Sequence, residues 1–433
     1  MRKFIYIVFA AALIAISCEQ ELQVIDPGNG KLPIFNGYMQ FSTEVSTKSK
    51  LATDMKGKAF GVIGYEYSST AFWSGAKSTT TPNAFYNQRV DCDANNGLCQ
   101  YDWTTPSLAG NKPKPWGDYR YAFFAYHPFN GNGITLSGDN VTNTPTLTYT
   151  YGWLNQTNDI TVYDSNSPIF DLMTAEAVDV TGDGSGRVNL DFKHRMFALE
   201  VLVNNYNENV YEYEKDADGN FILDKDGNKV YKLDEDGNKI IAPGYYLKDE
   251  NGQLVTDEKG DPIWINNNAR QKISNLKLTL EGLQNTSMTI PLSTKKDEAQ
   301  PIYTKGSVGK RTFKISDGEI EIPAFNEVTE DGRGEGVATS ISKMGSENGG
   351  YLMLIPQANS NEGITGTLVW DQLDEFIEDS GNESAVSNKF NSTIDFEPGK
   401  LYQVYINFVG DGITIALIAA GNWDNHNVTH TFE

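Results

Sequence analysis

Apolar and polar residues alternate along much of the chain with a period of two, the pattern of strands that bury one face. The clearest cases are Val188-Asn-Leu-Asp-Phe192, Leu276-Lys-Leu-Thr-Leu280, Tyr402-Gln-Val-Tyr-Ile-Asn-Phe408 and Ile413-Thr-Ile-Ala-Leu417. Further strands are predicted at residues 59–67, 119–126, 146–151, 319–323, 351–355 and 364–370, and the only short helical pattern covers residues 371–378. Short strands in this number, separated by Gly, Asn, Asp and Pro turns, predict an all-β protein built of antiparallel β-sandwiches.

The start of the chain carries an export signal. Arg2 and Lys3 precede an apolar run that is shorter than the roughly 20 residues a membrane-spanning helix needs. The following Ala15-Ile-Ser-Cys18 resembles the bacterial lipobox, in which the cysteine is acylated and becomes the new N-terminus. We therefore predict a signal peptide at residues 1–17 and lipidation, such as palmitate addition, at Cys18. An ordinary signal peptide is the alternative.

Length and charge narrow the class of protein. The 433 residues, less the signal peptide, are enough for two domains with proper cores. The net charge of −22 argues against nucleic acid as a partner, because nucleic-acid binding needs a basic surface. It suits a self-repelling protein exposed on a cell surface.

Two cysteines remain besides Cys18, and they flank the turn-forming sequence Cys92-Asp-Ala-Asn-Asn-Gly-Leu-Cys99. In an oxidising compartment, such a pair predicts a disulfide between Cys92 and Cys99 that closes a hairpin or loop. Metal binding is the alternative, but no histidine or second cysteine pair lies nearby in the sequence.

One segment differs in composition from the rest of the chain. From Glu208 to Asp261 the chain holds 15 acidic and 7 basic residues, a local charge of −8. It repeats five turn units: Asp216-Ala-Asp-Gly-Asn220, Asp224-Lys-Asp-Gly-Asn228, Asp234-Glu-Asp-Gly-Asn238, Asp249-Glu-Asn-Gly-Gln253 and Asp257-Glu-Lys-Gly-Asp261. Asp-Gly and Asn-Gly between apolar residues are strong hairpin signals. We predict a projecting, hairpin-rich insertion at residues 207–268.

The same turns invite a calcium interpretation. Asp224, Asp226 and Asn228 offer oxygens at positions 1, 3 and 5 of an EF-hand-like loop, and Glu235 falls at position 12. Position 6 of an EF-hand is glycine, but here it is Lys229, and the flanks predict strands instead of helices. We therefore predict no metal site, and a solvated run of turns is the preferred interpretation.

The sequence shows no pattern typical of an enzyme. The four histidines do not have metalloprotease spacing, and no nucleophile elbow, P-loop or dinucleotide fingerprint is present. We predict no catalytic residues and no cofactor. Four tryptophans are candidates for a sugar-stacking platform, although packing in the core is the commoner role: Trp73, Trp103, Trp116 and Trp153.

Several segments resemble Bacteroidales fimbrillins. Tyr121-Ala-Phe-Phe-Ala-Tyr-His-Pro128 resembles a conserved fimbrillin strand, and Asp171-Leu-Met-Thr-Ala175, followed by residues 188–201 with His194, resembles their crossover. Leu354-Ile-Pro-Gln357 and Phe396-Glu-Pro-Gly-Lys-Leu-Tyr402 are similar to their late strands, and Trp423 with its tail is similar to their C-terminal extension. The resemblance covers most of the chain apart from the insertion.

This resemblance implies two transthyretin-like β-sandwich domains in tandem, at residues 51–186 and 187–433, in a subunit of a type V pilus. Residues 18–50 are then a propeptide with a removable N-terminal strand, matched here by Tyr38-Met-Gln-Phe41. In the family, a trypsin-like protease cuts after this strand, and Lys48 and Lys50 occupy the cut-site positions. Family members often carry Arg there, so the identity of the protease is not predicted. An uncut chain, as in anchor subunits that stay lipidated, is the alternative.

The family also implies a C-terminal donor strand that fills the groove of the next subunit. In the tail Asn427-Val-Thr-His-Thr-Phe-Glu433, alternation places Val428, His430 and Phe432 on one face. An end that is frayed or forms an edge strand is the alternative. Residues 413–418 are a further contributor to the donor strand.

The predicted function is therefore a structural and adhesive subunit of a cell-surface fimbrium, with other fimbrial subunits as partners. Glu19 and Glu21 follow the lipidated cysteine and resemble an outer-surface signal, which predicts a precursor anchored in the outer membrane. A host or bacterial surface glycan or protein is the predicted adhesion target. The alternative function is a monomeric, glycan-binding outer-membrane lipoprotein.

Overall fold

The computed structural model describes residues 34–38, 57–92, 94, 99–101, 117–138, 145–162, 169–181, 187–249, 251–256, 260, 262–265, 267–293, 300–316, 318–326, 339–340, 351–358, 363–372, 384–410 and 412–422. In this part of the chain the all-β prediction is confirmed, because 25 strands stand beside a single four-residue helix, α1 at Trp73–Ala76. None of its helices is long and apolar enough to cross a membrane.

The strands of the first half of the chain are β1 Ile34–Tyr38, β2 Ala59–Ser68, β3 Phe85–Cys92, β4 Cys99–Tyr101, β5 Tyr119–His127, β6 Ile134–Ser137, β7 Thr146–Thr150, β8 Ile160–Thr161, β9 Met173–Thr181, β10 Arg187–Asp191, β11 Lys193–His194 and β12 Phe197–Asn205. Those of the second half are β13 Tyr245–Tyr246, β14 Trp264–Ile265, β15 Gln271–Glu281, β16 Asn285–Pro291, β17 Ile302–Lys305, β18 Arg311–Lys314, β19 Ile320–Ile322, β20 Thr339–Ser340, β21 Leu352–Leu354, β22 Ile364–Gln372, β23 Ser384–Ser392, β24 Lys400–Val409 and β25 Gly412–Asn422. Every strand predicted from alternation overlaps one of these. The helical pattern at residues 371–378 is wrong at its start, because Asp371 and Gln372 belong to β22, and its remainder lies outside the described residues.

The first sheet has eight strands in the order β10-β1-β4-β3-β2-β5-β9-β11. Its two end strands, β10 and β11, are consecutive in the chain and separated only by Phe192. Strand β10 also contacts β9. The sheet therefore curls until its two end strands meet, and its eight strands form a nearly closed barrel.

The other sheets combine strands from both halves of the chain. They are a four-stranded sheet β17-β16-β7-β6, a six-stranded sheet β23-β22-β15-β18-β8 with β19, a five-stranded sheet β20-β12-β24-β25 with β21, and the pair β13-β14. Most neighbouring strands are antiparallel, as predicted. Three pairs are parallel, which the alternation did not predict: β1 with β10, β12 with β24, and β18 with β8.

Strand pairing crosses the predicted domain boundary between residues 186 and 187. β10 lies after the boundary but belongs to the first sheet, and β7 lies before it but pairs with β16. The two proposed domains therefore share hydrogen-bonded sheets, and the boundary stays a prediction.

Two apolar cores fill the molecule. The smaller core lies against β10 and one face of β2 and β5, and it includes Phe60, Phe123, Val188, Leu190 and Phe192. The larger core joins the opposite face of β2 and β5 to the sheets of the second half. Both faces of the first sheet are buried at its centre, which explains why β5 reads as the nearly continuous apolar run that carries the first fimbrillin-like segment.

The two late fimbrillin-like segments meet in space. An antiparallel bridge joins Gln357 to Phe396, with N···O distances of 3.0 and 2.9 Å in the two directions. The Phe396 ring stacks on Phe197 at 4.4 Å between ring centres. The Tyr402 hydroxyl donates to the Asp395 carbonyl at 2.9 Å. These segments are structural corners that tie strands of the second half together.

The predicted insertion leaves the fold and returns to it at one neck. The Val210 N–H donates to the carbonyl of Asn267 at 3.0 Å, so the two ends of the insertion lie side by side. Asn209 is only 5% exposed, and its side-chain oxygen accepts the N–H of Ala269 at 2.8 Å. The Asn326 side chain accepts the backbone N–H of Asn209 and donates to the Asn209 carbonyl.

Beyond the neck, the insertion is built from cyclic triads of backbone hydrogen bonds. In the first triad, Ile222 donates to Glu214, Glu214 donates to Val230, and Val230 donates back to Ile222, at 2.9–3.0 Å. Two more rings repeat this arrangement, one of residues Glu212, Lys232 and Ile240 and one of residues Leu247, Val255 and Ile263. Four of the five predicted turns, which begin at Asp216, Asp224, Asp234 and Asp249, form corners of these rings, each closed by an antiparallel bridge such as Lys215 with Phe221. Most of the fifth, at residues 257–261, lies outside the described residues.

Aromatic rings and lysine side chains replace a buried core in the insertion. Tyr213 stacks on Tyr231 at 4.8 Å between ring centres. The Lys239 ammonium lies 4.2 Å from the centre of the Tyr231 ring, and the Lys229 ammonium lies 3.9 Å from that of Phe221. These stacking and cation–π contacts let a strongly acidic segment hold its shape with little apolar burial.

Replacing residues 210–267 by a short Gly-Ser linker is expected to leave the rest of the fold intact, since both ends already meet at the neck. Thermal melting should remain cooperative, with a midpoint within a few degrees of the full chain. Asn209→Ala in the full chain is the contrasting variant. It leaves the buried Ala269 N–H without its acceptor, which costs about 1–3 kcal/mol. Aggregation of the deletion variant would show that the insertion is part of the core.

Candidate functional site

Strand β1 lies inside the first sheet, although it comes from the predicted propeptide. It pairs in parallel with β10 over five register positions, from Ile34 with Arg187 to Tyr38 with Asp191. On its other side it pairs antiparallel with β4 at a single position, Phe35 with Cys99. The space between β10 and β4 that β1 fills is called the β1 slot below.

The strand β10 beside the β1 slot carries buried apolar side chains. Val188 and Leu190 of β10 are 1% and 0% exposed, and they stand at the register positions of Phe35 and Gly37. Phe192, which follows β10, contacts Phe60 edge to face at 5.1 Å between ring centres. Withdrawal of β1 would therefore leave two unpaired strand edges beside the smaller core.

β1 overlaps the predicted strand Tyr38-Met-Gln-Phe41 at Tyr38 and begins earlier, at Ile34. Residues 39–41 lie outside the described part of the chain. The parallel partner β10 was predicted as a strand but not as part of the site. The apolar Ile34-Phe35 pair directly after Pro33 was the available local signal, and nothing local indicates the pairing with β10.

The two cysteines lie at the border of the β1 slot. Cys92 ends β3 and stands directly opposite Cys99 of β4 in the antiparallel register. Cys92 is 5% exposed and belongs to the smaller core. Directly opposite residues of antiparallel strands have Cα atoms about 4.5–5.5 Å apart, within the range a disulfide spans. This register supports the predicted disulfide.

The other predicted site residues lie outside the described part of the chain. They are Cys18, the two lysines Lys48 and Lys50, and the tail residues Val428, His430 and Phe432. Strand β25, which leads to that tail, is the edge strand of its sheet and pairs with β24 along its whole length. Ile413, Ile415 and Leu417 of β25 are half-buried and pack against the larger core.

His194 and Asp171 form a hydrogen bond where the first sheet closes. Nδ1 of His194 lies 2.7 Å from Oδ2 of Asp171, and both side chains are about nine-tenths buried. This contact joins β11 to the segment before β9 and so fixes the fimbrillin-like crossover.

His127 is a buried histidine beside the same region. Its Nδ1 lies 2.8 Å from the carbonyl of Ala59. Burial lowers the pKa of His127 from 6.5 to about 4, with Lys58 acting in the same direction and Asp171 and the Ala59 hydrogen bond opposing it. The imidazole is therefore neutral in the folded protein at physiological pH.

The lowered pKa of His127 predicts acid sensitivity. Below pH 6.5 the His127 imidazole binds a proton in the unfolded chain, whereas in the folded chain it stays neutral until about pH 4. The free energy of unfolding therefore falls as the pH drops through this window. The loss attributable to His127 is about 3 kcal/mol at most. We expect His127→Gln to show a shallower loss of unfolding free energy between pH 7 and pH 4.5, measured by urea denaturation. Equal slopes for variant and wild type would contradict the assignment.

The proposed sugar platform is wrong where the structure describes it. Trp73 and Trp153 are both 0% exposed, and the Trp73 indole N–H donates to the Ser293 carbonyl at 3.0 Å. They are core residues and cannot stack on a ligand. Trp103 and Trp116 lie outside the described residues.

The acidic turns of the insertion use their carboxylates internally. Oδ1 of Asp224 accepts the backbone N–H groups of Asp226 and Asn228 at 2.8 and 2.9 Å, and Asp216 and Asp234 do the same in their own turns. Hydrogen bonds from the backbone N–H of Asn228 lower the pKa of Asp224. In the part of the chain that the structure covers, no group of three His, Cys, Asp or Glu residues is placed to hold a metal ion.

The fold and the β1 slot define an all-β protein with an N-terminal strand seated inside its first sheet. The fimbrillin-like family model matches residues 56–225 of the chain. Residues 56–225 thus match the family that the sequence was predicted to resemble.

Two known proteins illustrate this likeness. Fimbrium subunit Fim1C of Phocaeicola vulgatus is 26% identical over 201 residues, which is 44% of this chain and 48% of that protein. The match thus spans about half the length of this curated relative. The crystal structure of a fimbrial protein from Bacteroides vulgatus has a TM-score of 0.50 at 16% identity, over 91% of this chain and 99% of that one. That similarity shows a shared fold.

Proposed function

We propose that the chain is a structural and adhesive subunit of a type V pilus, which assembles by proteolytic removal of β1 and insertion of a strand from the next subunit. The observation that carries the proposal is the position of β1, which occupies an interior place in a sheet although it belongs to the N-terminal segment. We further propose that the sheets form two transthyretin-like sandwiches, that Cys18 carries the lipid anchor, and that the precursor is held at the outer membrane. The protein is not an enzyme on this account.

Cleavage would convert β1 from part of the chain into a separate peptide. Nine residues lie between Tyr38 and Lys48, so a cut after Lys48 or Lys50 releases the whole of β1. While the chain is intact, β1 binds at the high effective concentration of an attached segment, and after the cut it is diluted into solvent. A five-residue strand with one parallel and one minimal antiparallel neighbour has little to retain it.

The emptied β1 slot would favour a replacement strand. Leaving Val188 and Leu190 in water costs about 1.5–3 kcal/mol for each side chain. The edges of β10 and β4 would also present unpaired backbone donors and acceptors. An extended segment of another subunit can restore both the apolar burial and these hydrogen bonds by strand addition. This is why removal of a strand leads to assembly in this proposal.

An epitope tag offers the direct test of a fimbrial location. The turn at residues 224–228 is fully exposed and far from the β1 slot in sequence, so a tag inserted there should not disturb assembly. Immunogold electron microscopy of cells that express the tagged chain should label fibres. Label confined to the membrane surface, with unlabelled fibres, would favour the monomeric lipoprotein.

The lipid anchor has a separate test. Cys18→Ala should remove metabolic palmitate labelling of the precursor completely, because the acyl chains attach at that thiol. Cys99→Ala, which also removes one cysteine, is the matched control and should keep the label. Labelling of the Cys18 variant at the wild-type level would show that the lipobox assignment is wrong.

One observation favours the second candidate, a glycan-binding lipoprotein. The insertion holds an open cavity of about 720 Å³ whose lining includes Tyr211, Tyr213 and Phe221 together with Glu212 and Lys215. Aromatic side chains beside polar groups are typical of sites that bind small molecules, sugars among them. The same surface would serve adhesion if the chain is a fimbrial subunit.

A further inference from the structure

Strand β4 is the shorter of the two strands beside the β1 slot. It has three residues, Cys99–Tyr101, and pairs with β3 at three positions and with β1 at one. The single pairing with β1 is made at Cys99. If β1 leaves, β4 becomes an edge strand of three residues, and β3 is its remaining neighbour among the described strands.

The backbone hydrogen bonds of Cys92 that the structure shows run toward β2. The N–H of Cys92 donates to the Lys58 carbonyl at 2.8 Å, and the Cys92 carbonyl accepts the Gly57 N–H at 3.0 Å. Both backbone groups of Cys92 are thus engaged on the side facing β2, away from β4. Cys92 and Cys99 therefore form a non-hydrogen-bonded pair, the closer type in an antiparallel sheet, with Cα atoms about 4.5 Å apart.

We propose that a disulfide between Cys92 and Cys99 fixes β4 to β3 as the rigid rim of the β1 slot, so that the emptied slot keeps the width of one strand. This inference rests on the proposed function, because the rim matters only when β1 is removed. With β1 in place, β4 and β10 are two strand spacings apart, about 9.5 Å. A free β4 could shift toward the exposed Val188 and Leu190 and close the slot. The cross-link prevents that movement and keeps the site ready for the incoming strand.

The role predicts different outcomes before and after cleavage. In the precursor, β1 itself holds β4 from one side, so loss of the disulfide should change the melt little. In the cleaved chain, the disulfide and the three-position pairing with β3 hold the rim, so loss of the disulfide should slow strand capture at least tenfold. A disulfide that only stabilised the fold would lower the melting temperature of the precursor and would leave capture unchanged.

The test uses the full chain with a site-specific protease sequence inserted between Lys50 and Leu51. Cys92→Val with Cys99→Val keeps apolar side chains at both positions but cannot cross-link, and reduced wild type serves as a second form without mutation. A fluorescent peptide of residues 32–42 reports capture by the cleaved chains. We expect an unchanged precursor melt, at least tenfold slower capture in both forms without the disulfide, and recovery when the reduced wild type is reoxidised.

The failures of the two proposals are distinguishable. Capture at the wild-type rate by the double variant, or two free thiols in the exported wild type after alkylation, would overturn the rim assignment and leave strand exchange standing. Cleaved wild type that neither releases β1 nor captures the peptide would overturn strand exchange and the rim assignment with it.

Discussion

Replacing Lys48 and Lys50 together by glutamine is expected to leave the protein as a monomeric precursor and to abolish polymer formation. The uncut linker keeps β1 at the effective concentration of an attached segment, so an incoming strand must compete with an intramolecular one. Polymer yield after protease treatment, measured by size-exclusion chromatography and electron microscopy, should fall at least tenfold.

The matched control for this prediction replaces Lys31 and Lys56 by glutamine. It makes the same change in charge on either side of the predicted cut and should polymerise like the wild type. Polymers formed by the Lys48 and Lys50 variant, with β1 still attached, would contradict assembly by strand removal. Loss of polymer in the control alone would move the cut site to Lys31 or Lys56.

Substitutions in the C-terminal tail should have an effect of similar size. Val428→Asp with Phe432→Asp places two charges on the face predicted to enter the β1 slot of the next subunit. Burial of the two native side chains would supply about 3–6 kcal/mol, which the variant loses in addition to burying carboxylates. We expect no polymer from this variant, while the monomer keeps the wild-type melting temperature.

The alternating tail provides its own control. Thr429→Asp with Thr431→Asp introduces the same charges on the opposite face and should polymerise within about threefold of wild type, since surface substitutions are usually close to neutral. Equal polymerisation of both double variants would show that the tail is not the donor, and β25 would then be the remaining candidate.

Alternation predicted β2, β5, β22 and β24 because the signal is local and each of these strands buries at least one face in a core. Pairing partners could not be predicted in this way. The parallel contact of β1 with β10 and the contact of β7 with β16 join segments more than 100 residues apart, and no local pattern encodes them. The domain boundary at residue 187 was placed without knowledge of these contacts.

Residue type alone also left the role of some side chains open. Tryptophan is found in cores and in sugar sites alike, and the full burial of Trp73 and Trp153 follows from sheet packing that the sequence does not display. In the insertion, the Asp-Gly turns were predicted correctly from turn chemistry. The cyclic triads, such as Glu214 with Ile222 and Val230, depend on three strands meeting at once and left no signal of their own.

The N-terminus of the subunits in purified fibres tests the central claim most directly. The account predicts that these subunits begin at Ser49 or Leu51 and that peptides from residues 34–38 are absent from the fibres by mass spectrometry. Fibre subunits that begin at an acylated Cys18 and retain Ile34–Tyr38 would contradict strand removal, because β1 would then still occupy its slot.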